Sequence, residues 1–305
     1  MLMHTSNYVK NQKIIYDVPF LATELKEFVL WFFTGTRCNL SCSHCYVESS
    51  PDNNSMPYLT YETFEQYLKE AVQKKFSKID IYFTGGEPFI NPDILKMIDK
   101  ALDYGHTTIL TNGTRFSDLI IEKLEKIIEK KNFTLTFRIS IDGPTEMEHD
   151  KFRGSGSFNK TMLGLKKISN KNFKTIVTAM QSWKQKENNR IDGEFISLLV
   201  ENDVPKRNQS MKYLPPILIG REEQRNRGYT EQELFTETCF TDYNYEQLQC
   251  SKCRMVTEKG VWVCPILVNE QGGKMGNTLV ESFKPFGMKY TACWTCRMSG
   301  LSCEN

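Results

Sequence analysis

The order of apolar and polar positions along the chain alternates between two periods. "FVLWFFT" (28–34) is a continuous apolar run of the kind a fully buried strand shows. Residues 60–75 follow, with Phe64, Leu68, Ala71 and Val72 on one helical face and Thr60 as N-cap. "IDIYFT" (79–84) predicts a second strand, and Asn91-Pro92 opens a helix to about Leu102. "TTILT" (107–111) predicts a third strand. The helix over 117–130 begins at Ser117 and carries Ile120, Ile121, Leu124, Ile127 and Ile128 on one face. "LTFRISI" (135–141) and "KTIVTAM" (174–180) predict the fourth and fifth strands, with helices near 157–169 and 190–202. "MKYLPPILI" (211–219) predicts a weaker sixth, whose prolines belong at its end.

Six β-then-α units imply an α/β fold with a parallel sheet and helices outside. Six are too few for a closed eight-fold barrel, so an open, partial barrel is expected. In such barrels chemistry sits at the C-terminal ends of the strands. The polar and glycine-rich segments fall there: a cysteine loop after strand 1, "GGEP" after strand 2, "NGT" after strand 3 and "SIDGP" after strand 4. The expected division is an N-terminal extension (1–27), the barrel (28–235) and a small cysteine-rich domain (236–305). Seven of the ten cysteines lie in the last 67 residues, where helical periodicity fades. So short a segment holds a core with difficulty unless metal staples it.

Composition adds exclusions. Apolar residues make up 40% and charged residues 25%, with a formal charge of +2. These values suit a globular protein and argue against bulk electrostatic binding of nucleic acid. The early apolar run is too short to cross a bilayer and no signal-peptide pattern precedes it. The expectation is a cytoplasmic protein without membrane partners. In that reducing compartment ten cysteines point to metal or redox chemistry rather than disulfides.

"TRCNLSCSHCY" (36–46) holds Cys38, Cys42 and Cys45 in a C-x3-C-x2-C spacing. Structural zinc takes four protein ligands. His44 would be the fourth, but it stands directly between Ser43 and Cys45, where its ring tends to point away. A cubane iron–sulfur cluster accepts three thiolates and leaves its fourth iron open to a small molecule.

"CNLSCSHC" after a first strand, with "GGEP" about forty residues later and six β/α units, resembles the radical S-adenosylmethionine superfamily. That resemblance implies a catalytic 4Fe–4S cluster on Cys38, Cys42 and Cys45, with S-adenosylmethionine on the open iron. Reductive cleavage of the sulfonium then yields a 5′-deoxyadenosyl radical that abstracts hydrogen from substrate. It further implies that Gly85 and Gly86 let the backbone approach the methionine ammonium, with Glu87 supplying negative charge. His44 matches the position against the adenine. Asn112 matches a contact near the ribose or carboxylate, Ser140 a polar reach toward the cofactor, and Arg153 a partner of the methionine carboxylate. Asp142 suits either turn chemistry before Gly143-Pro144 or a substrate contact, and His149 is expected to be structural.

The tail carries "CSKCRMVTEKGVWVC" and "ACWTCRMSGLSC". "RMVTEKGVWV" predicts a β-hairpin turning at Glu258-Lys259-Gly260. A hairpin flanked by cysteines resembles the twitch, or truncated SPASM, extension of the same superfamily, which implies one auxiliary 4Fe–4S cluster. Its candidate ligands are Cys250, Cys253, Cys264, Cys293, Cys296 and Cys303. Cys264, Cys293 and Cys296 are preferred and Cys253 leads for the fourth place, with Cys250 or Cys303 as substitutes. Cys239 fits no motif and suits a buried apolar position or a hydrogen-atom donor.

The resemblance leaves the product open among dehydrogenation, epimerisation, elimination and rearrangement. About 28 residues precede the first strand, which leans toward a small metabolite such as a sugar, aminocyclitol or nucleoside. The alternative is a peptide recognised without a leader-binding domain. A flavodoxin or ferredoxin is the reductant the resemblance implies. The rival from another class is a non-catalytic iron–sulfur or zinc-binding protein, which leaves "GGEP", Asn112 and Arg153 without a joint purpose.

Overall fold

The computed structural model describes residues 11–171 and 173–300. Its centre is a nine-stranded sheet. Strands β1 (Glu27–Phe33), β2 (Lys78–Thr84), β3 (His106–Thr111), β4 (Leu135–Ser140), β5 (Lys174–Met180) and β6 (Ser210–Leu214) lie side by side in chain order. Every neighbouring pair among them is parallel. Helices α1 (Tyr61–Gln73), α2 (Ile94–Ala101), α3 (Asp118–Ile128), α4 (Glu146–Arg153), α5 (Ser157–Ser169) and α6 (Asn188–Glu201) fall between consecutive strands. This is a partial (β/α)6 barrel.

Why β1 is apolar throughout follows from its two faces. Phe28, Leu30 and Phe32 pack outward among Phe64, Phe83 and Ile98. Val29, Trp31 and Phe33 pack on the opposite face with Tyr82 and Met255. The helices begin where their capping chemistry places them. The Thr60 and Ser117 side chains accept from the N–H groups of Thr63 and Ile120. The helix after Asn91 starts later than expected, at Ile94, because the Asn91 amide is used otherwise. It donates to the Thr34 and Leu59 carbonyls (3.2 and 2.9 Å) and accepts from Asp93 N–H. Helix α4 was not foreseen; only His149 and Phe152 of its eight residues are buried.

The C-terminal segment continues the same sheet. β7 (Cys253–Thr257) pairs in parallel with β1, joining Val29 to Cys253 and Trp31 to Met255. β8 (Gly260–Trp262) returns antiparallel to β7, and β9 (Lys274–Gly276) pairs antiparallel with β8. The hairpin at 258–259 is where the sequence put it. A separate apolar cluster, built on Leu218, Phe235, Phe240, Val263, Ile266 and Met288, lies under the remaining cysteines. A two-residue pairing of Asp17–Val18 with Phe286–Gly287 ties the N-terminal segment to this part. Among the described residues no helix is long and apolar enough to cross a membrane.

Two helix glycines separate packing from propensity. A methyl group built on Gly164 of α5 would overlap the Gly113 carbonyl oxygen, while one on Gly193 of α6 meets nothing within 4 Å. We expect Gly193→Ala to raise stability by about 0.5–1 kcal/mol through reduced chain entropy. Gly164→Ala should lower it by about 1–3 kcal/mol through overpacking. Urea unfolding of the two variants side by side checks this; a stabilised Gly164→Ala would refute the close approach.

Candidate functional site

The strand ends open on one cavity of about 240 Å³. The cysteine loop between β1 and α1 forms part of its wall, and its shape is set by local hydrogen bonds. Cys38 N–H donates to the Ser50 carbonyl (3.1 Å) and Cys45 N–H to the Cys42 carbonyl (3.2 Å). Backbone N–H groups already face two of the sulfurs: Leu40 at 3.4 Å from Cys38 Sγ and Ser49 at 3.3 Å from Cys45 Sγ. The Asn112 amide adds a longer contact to Cys38 Sγ (3.8 Å). Burial pushes the Cys38 thiol up to about 12. It raises Cys42 as well, against the pull of Arg153 and, more weakly, Arg221. Such thiols lose their protons when a metal binds rather than before it.

Around this loop the structure brings together Cys38, Cys42, Cys45, His44, Gly85, Gly86, Asn112, Ser140 and Arg153 on one cavity wall. Asn112 secures the loop from the end of β3. Its Nδ2 donates to Asn39 Oδ1 (3.0 Å) and its Oδ1 accepts from Thr114 N–H (3.0 Å). The glycines of "GGEP" answer first to chain packing. A methyl on Gly86 would strike the Arg37 carbonyl, and Gly86 N–H donates to the Gly35 carbonyl (2.8 Å).

Glu87 departs from the expectation. Its carboxylate is not on the cavity wall but buried beneath it. It accepts from Phe89 N–H (3.0 Å), the Thr111 hydroxyl (2.8 Å) and Asn112 N–H (2.8 Å). Burial raises its pKa and these donors oppose the rise. Glu87 thus binds the second loop to the third through Thr111 and Asn112.

Asp142 is the residue the sequence undervalued. One oxygen accepts from Arg153 Nε (2.6 Å) and lies 3.1 Å from His44 Nε2; the other accepts from Met180 N–H (2.9 Å). Burial alone would raise its pKa, yet Arg153 and His44 hold it well below the usual carboxylate range. His149, fully buried behind it, takes Asp142 N–H on Nδ1 (3.4 Å), and burial lowers its pKa to about 4. The available signal was a carboxylate just past a strand end, eleven positions before an arginine. Arg138 was also missed. It is 1% exposed, lines the cavity and reaches the Thr178 hydroxyl (3.3 Å). A charged residue two positions before Ser140, on the same face of β4, was its signal.

The cavity suits a polar ligand and an inorganic group. His44 Nδ1, Ser49 Oγ and Trp31 Nε1 are buried, have no hydrogen-bond partner among the described residues and belong to residues of the wall. No three His, Cys, Asp or Glu side chains among the described residues converge as on a single metal ion. The thiols of Cys38, Cys42 and Cys45, all on this wall, are a donor set that suits a cluster of several irons.

The second cysteine set closes on a different cavity, walled by Cys250, Cys264, Cys293 and Cys296 with Leu248, Leu267 and Met288. Burial pushes Cys250 up to about 11, Cys264 up to about 12 and Cys293 well up. Cys253, the residue preferred from spacing, is not on this wall. It is a β7 residue with its side chain among Val29, Trp31 and Met255, and its thiol donates to the Val263 carbonyl (3.4 Å). The period-2 alternation of the strand turns it to the other face. Arg254 follows it and anchors this region. Nε donates to the Ser282 carbonyl (2.8 Å), Nη1 to those of Cys250 and Cys253 (2.9 and 2.6 Å), and Nη2 to that of Lys284 (2.9 Å). Cys239 lies on neither wall; its carbonyl accepts from Arg297 Nε (2.8 Å). Cys303 lies outside the described residues.

The sequence profile of the radical SAM superfamily matches residues 32–181. The AdoMet-dependent heme synthase of Methanosarcina barkeri is 30% identical over 155 residues, covering 50% of this chain and 41% of that protein. The antilisterial bacteriocin subtilosin biosynthesis protein AlbA of Bacillus subtilis is 33% identical over 135 residues, covering 44% of this chain and 28% of that one. The chain therefore spans less than half the length of either relative. Among solved structures, Streptococcus suis SuiB bound to precursor peptide SuiA superposes with a TM-score of 0.61 at 14% identity, over 88% of this chain and 66% of that one. At that identity the likeness is one of fold. Residues 32–181, from the end of β1 through β5, thus form a radical SAM superfamily domain.

Proposed function

We propose that Cys38, Cys42 and Cys45 hold a 4Fe–4S cluster beside bound S-adenosylmethionine, and that Cys250, Cys264, Cys293 and Cys296 hold an auxiliary one. The observation that carries this is the meeting of three thiols, His44, Asn112 and the Asp142–Arg153 pair on one cavity wall or directly behind it. When bound, the cluster supplies an electron to the sulfonium of S-adenosylmethionine, whose cleavage furnishes the 5′-deoxyadenosyl radical that abstracts hydrogen from substrate. The protein's part is placement and exclusion of water. Asp142 holds His44 and Arg153 together at the mouth through one oxygen, so that an imidazole edge and a buried cation face the same ligand. Arg153 suits the methionine carboxylate, and the unpartnered His44 Nδ1 suits a polar edge of the adenosyl group. Glu87 and Asn112 hold the second and third loops against the cysteine loop.

For the substrate, a peptide is the reading with more support. A bacteriocin biosynthesis protein is among the relatives, and SuiB carries the same fold with a precursor peptide bound. The small-metabolite reading has its own support in the heme synthase relative. Incubation with candidate precursor peptides and with iron-porphyrinoid substrates, read by substrate mass and by uptake of deuterium into 5′-deoxyadenosine, separates the two.

Anaerobic reconstitution with iron and sulfide, followed by S-adenosylmethionine and a strong reductant, tests the central reading. About eight irons and formation of 5′-deoxyadenosine are expected. The triple Cys38/Cys42/Cys45→Ala variant should retain about four irons and no cleavage. Zinc in place of iron, or cleavage that survives, would return the chain to the non-catalytic class. The second ligand set is tested separately: Cys250→Ala should lose about four irons, while Cys253→Ala should keep about eight. The reverse outcome would refute the assignment. Asp142→Asn leaves Arg153 and His44 without their counter-charge, and breaking a buried ion pair costs about 3–5 kcal/mol. We expect at least about a tenfold slower 5′-deoxyadenosine formation with iron content maintained. An unchanged rate would remove Asp142 from the site.

A further inference from the structure

The segment that leaves β6 passes through Leu218 and Ile219, which pack in the C-terminal apolar cluster with Val263, Ile266 and Cys293. It then turns back onto the cysteine loop. Gly220, at φ 59°, lies so near that a Cβ would overlap the Tyr46 carbonyl oxygen. Arg221 N–H donates to the Cys45 carbonyl (3.2 Å), and Arg221 Nη2 donates to the Ser49 carbonyl. Ser49 N–H in turn donates to Cys45 Sγ (3.3 Å). The guanidinium therefore rests on the turn that carries the third thiol. Helix α7 (Arg221–Arg225) adds two further contacts: Gln224 Nε2 with Glu48 Oε1 (3.4 Å) and Arg225 over the Phe152 ring (4.9 Å).

Two properties distinguish Arg221 from the other cations here. Its charge is uncompensated among the described residues. Neighbouring Glu222 is bound at both oxygens by Arg225 (2.8 and 2.7 Å), whereas Arg153 is offset by Asp142 at 2.6 Å. Its Nε is also buried without an acceptor. A buried donor left unmatched costs about 1–3 kcal/mol, and this one belongs to the side chain that rests on the turn carrying Cys45. What the loop gains on loading is thiolate and sulfide sulfur.

We propose that Arg221 is a positioning residue that raises the reduction potential of the cluster on Cys38, Cys42 and Cys45. Reduction adds one negative charge to a buried anionic group, and a nearby cation without a counter-ion stabilises the reduced form more than the oxidised one. The inference rests on the cluster assignment above. It goes beyond it by giving the linker between barrel and tail an electrostatic task.

The test is a redox titration of the reconstituted full chain, followed by electron paramagnetic resonance. The catalytic cluster is identified as the signal that changes when S-adenosylmethionine is added. In Arg221→Gln its reduction equilibrium should fall at least about tenfold, which is 59 mV for a one-electron couple. Arg221→Lys, which keeps the charge, should stay within about threefold of the parent. Iron and sulfide content and the auxiliary signal should be unmoved in both. An unaltered midpoint in Arg221→Gln would overturn the proposal. So would equal shifts of both signals, or loss of the cluster from both variants, which would make the arginine a structural prop alone. Absence of any S-adenosylmethionine-responsive signal in the parent would instead overturn the cluster assignment and the proposed function with it.

Discussion

The carboxylate of Asp142 gathers contacts from three separate parts of the chain at the barrel mouth. His44 comes from the loop after β1, Arg153 from the end of α4, and Met180 N–H from the end of β5. Each alone would be an ordinary polar contact. Together they neutralise a buried anion, which otherwise would be costly to keep charged. The arrangement orders the site from behind, because a histidine and an arginine whose inner edges are occupied can turn only their outer edges to a ligand. Phe152, one residue before Arg153, adds a second tie, since its carbonyl accepts from Ser43 N–H (2.7 Å). The cysteine loop is therefore held by the fourth βα unit as well as by its own strand.

A similar economy joins the tail to the barrel. β7 extends the sheet beside β1, so the strand that launches the cysteine loop is flanked on both sides. The Cys250 and Cys253 carbonyls share one arginine, Arg254, which rests over the Phe20 ring at 4.1 Å. Cys264 borders both the tail's apolar cluster and that inside the barrel. The two cysteine groups thus stand on one continuous framework rather than on parts that could drift.

How far the sequence went depended on whether a residue's task was local. The strands and most helices were legible because burial on one or both faces writes a period into the chain, and Thr60 and Ser117 announce their helices by capping chemistry. Helix α4 was hidden because "EMEHDKFR" is charged at nearly every exposed position. The three-cysteine spacing was legible because one short loop supplies all three thiols. Which cysteine joins Cys264, Cys293 and Cys296 on the second cavity wall was not: Cys250 and Cys253 share one C-x2-C, and only the pleat of β7 turns the latter to the other face. Glu87 was misjudged for a related reason, since its donors, Thr111 and Asn112, lie a whole βα unit away.

The parallel pairing of Val29 with Cys253 bears on how the protein is made. β1 emerges early in synthesis, but its outer neighbour is among the last strands to appear, and contacts so distant in sequence form slowly. Until then the flank of β1 is an open edge of backbone donors and acceptors, and the thiols that follow it lack their final surroundings. A chain without β7 would present the thiols of the cysteine loop beside an unpaired, adhesive strand edge.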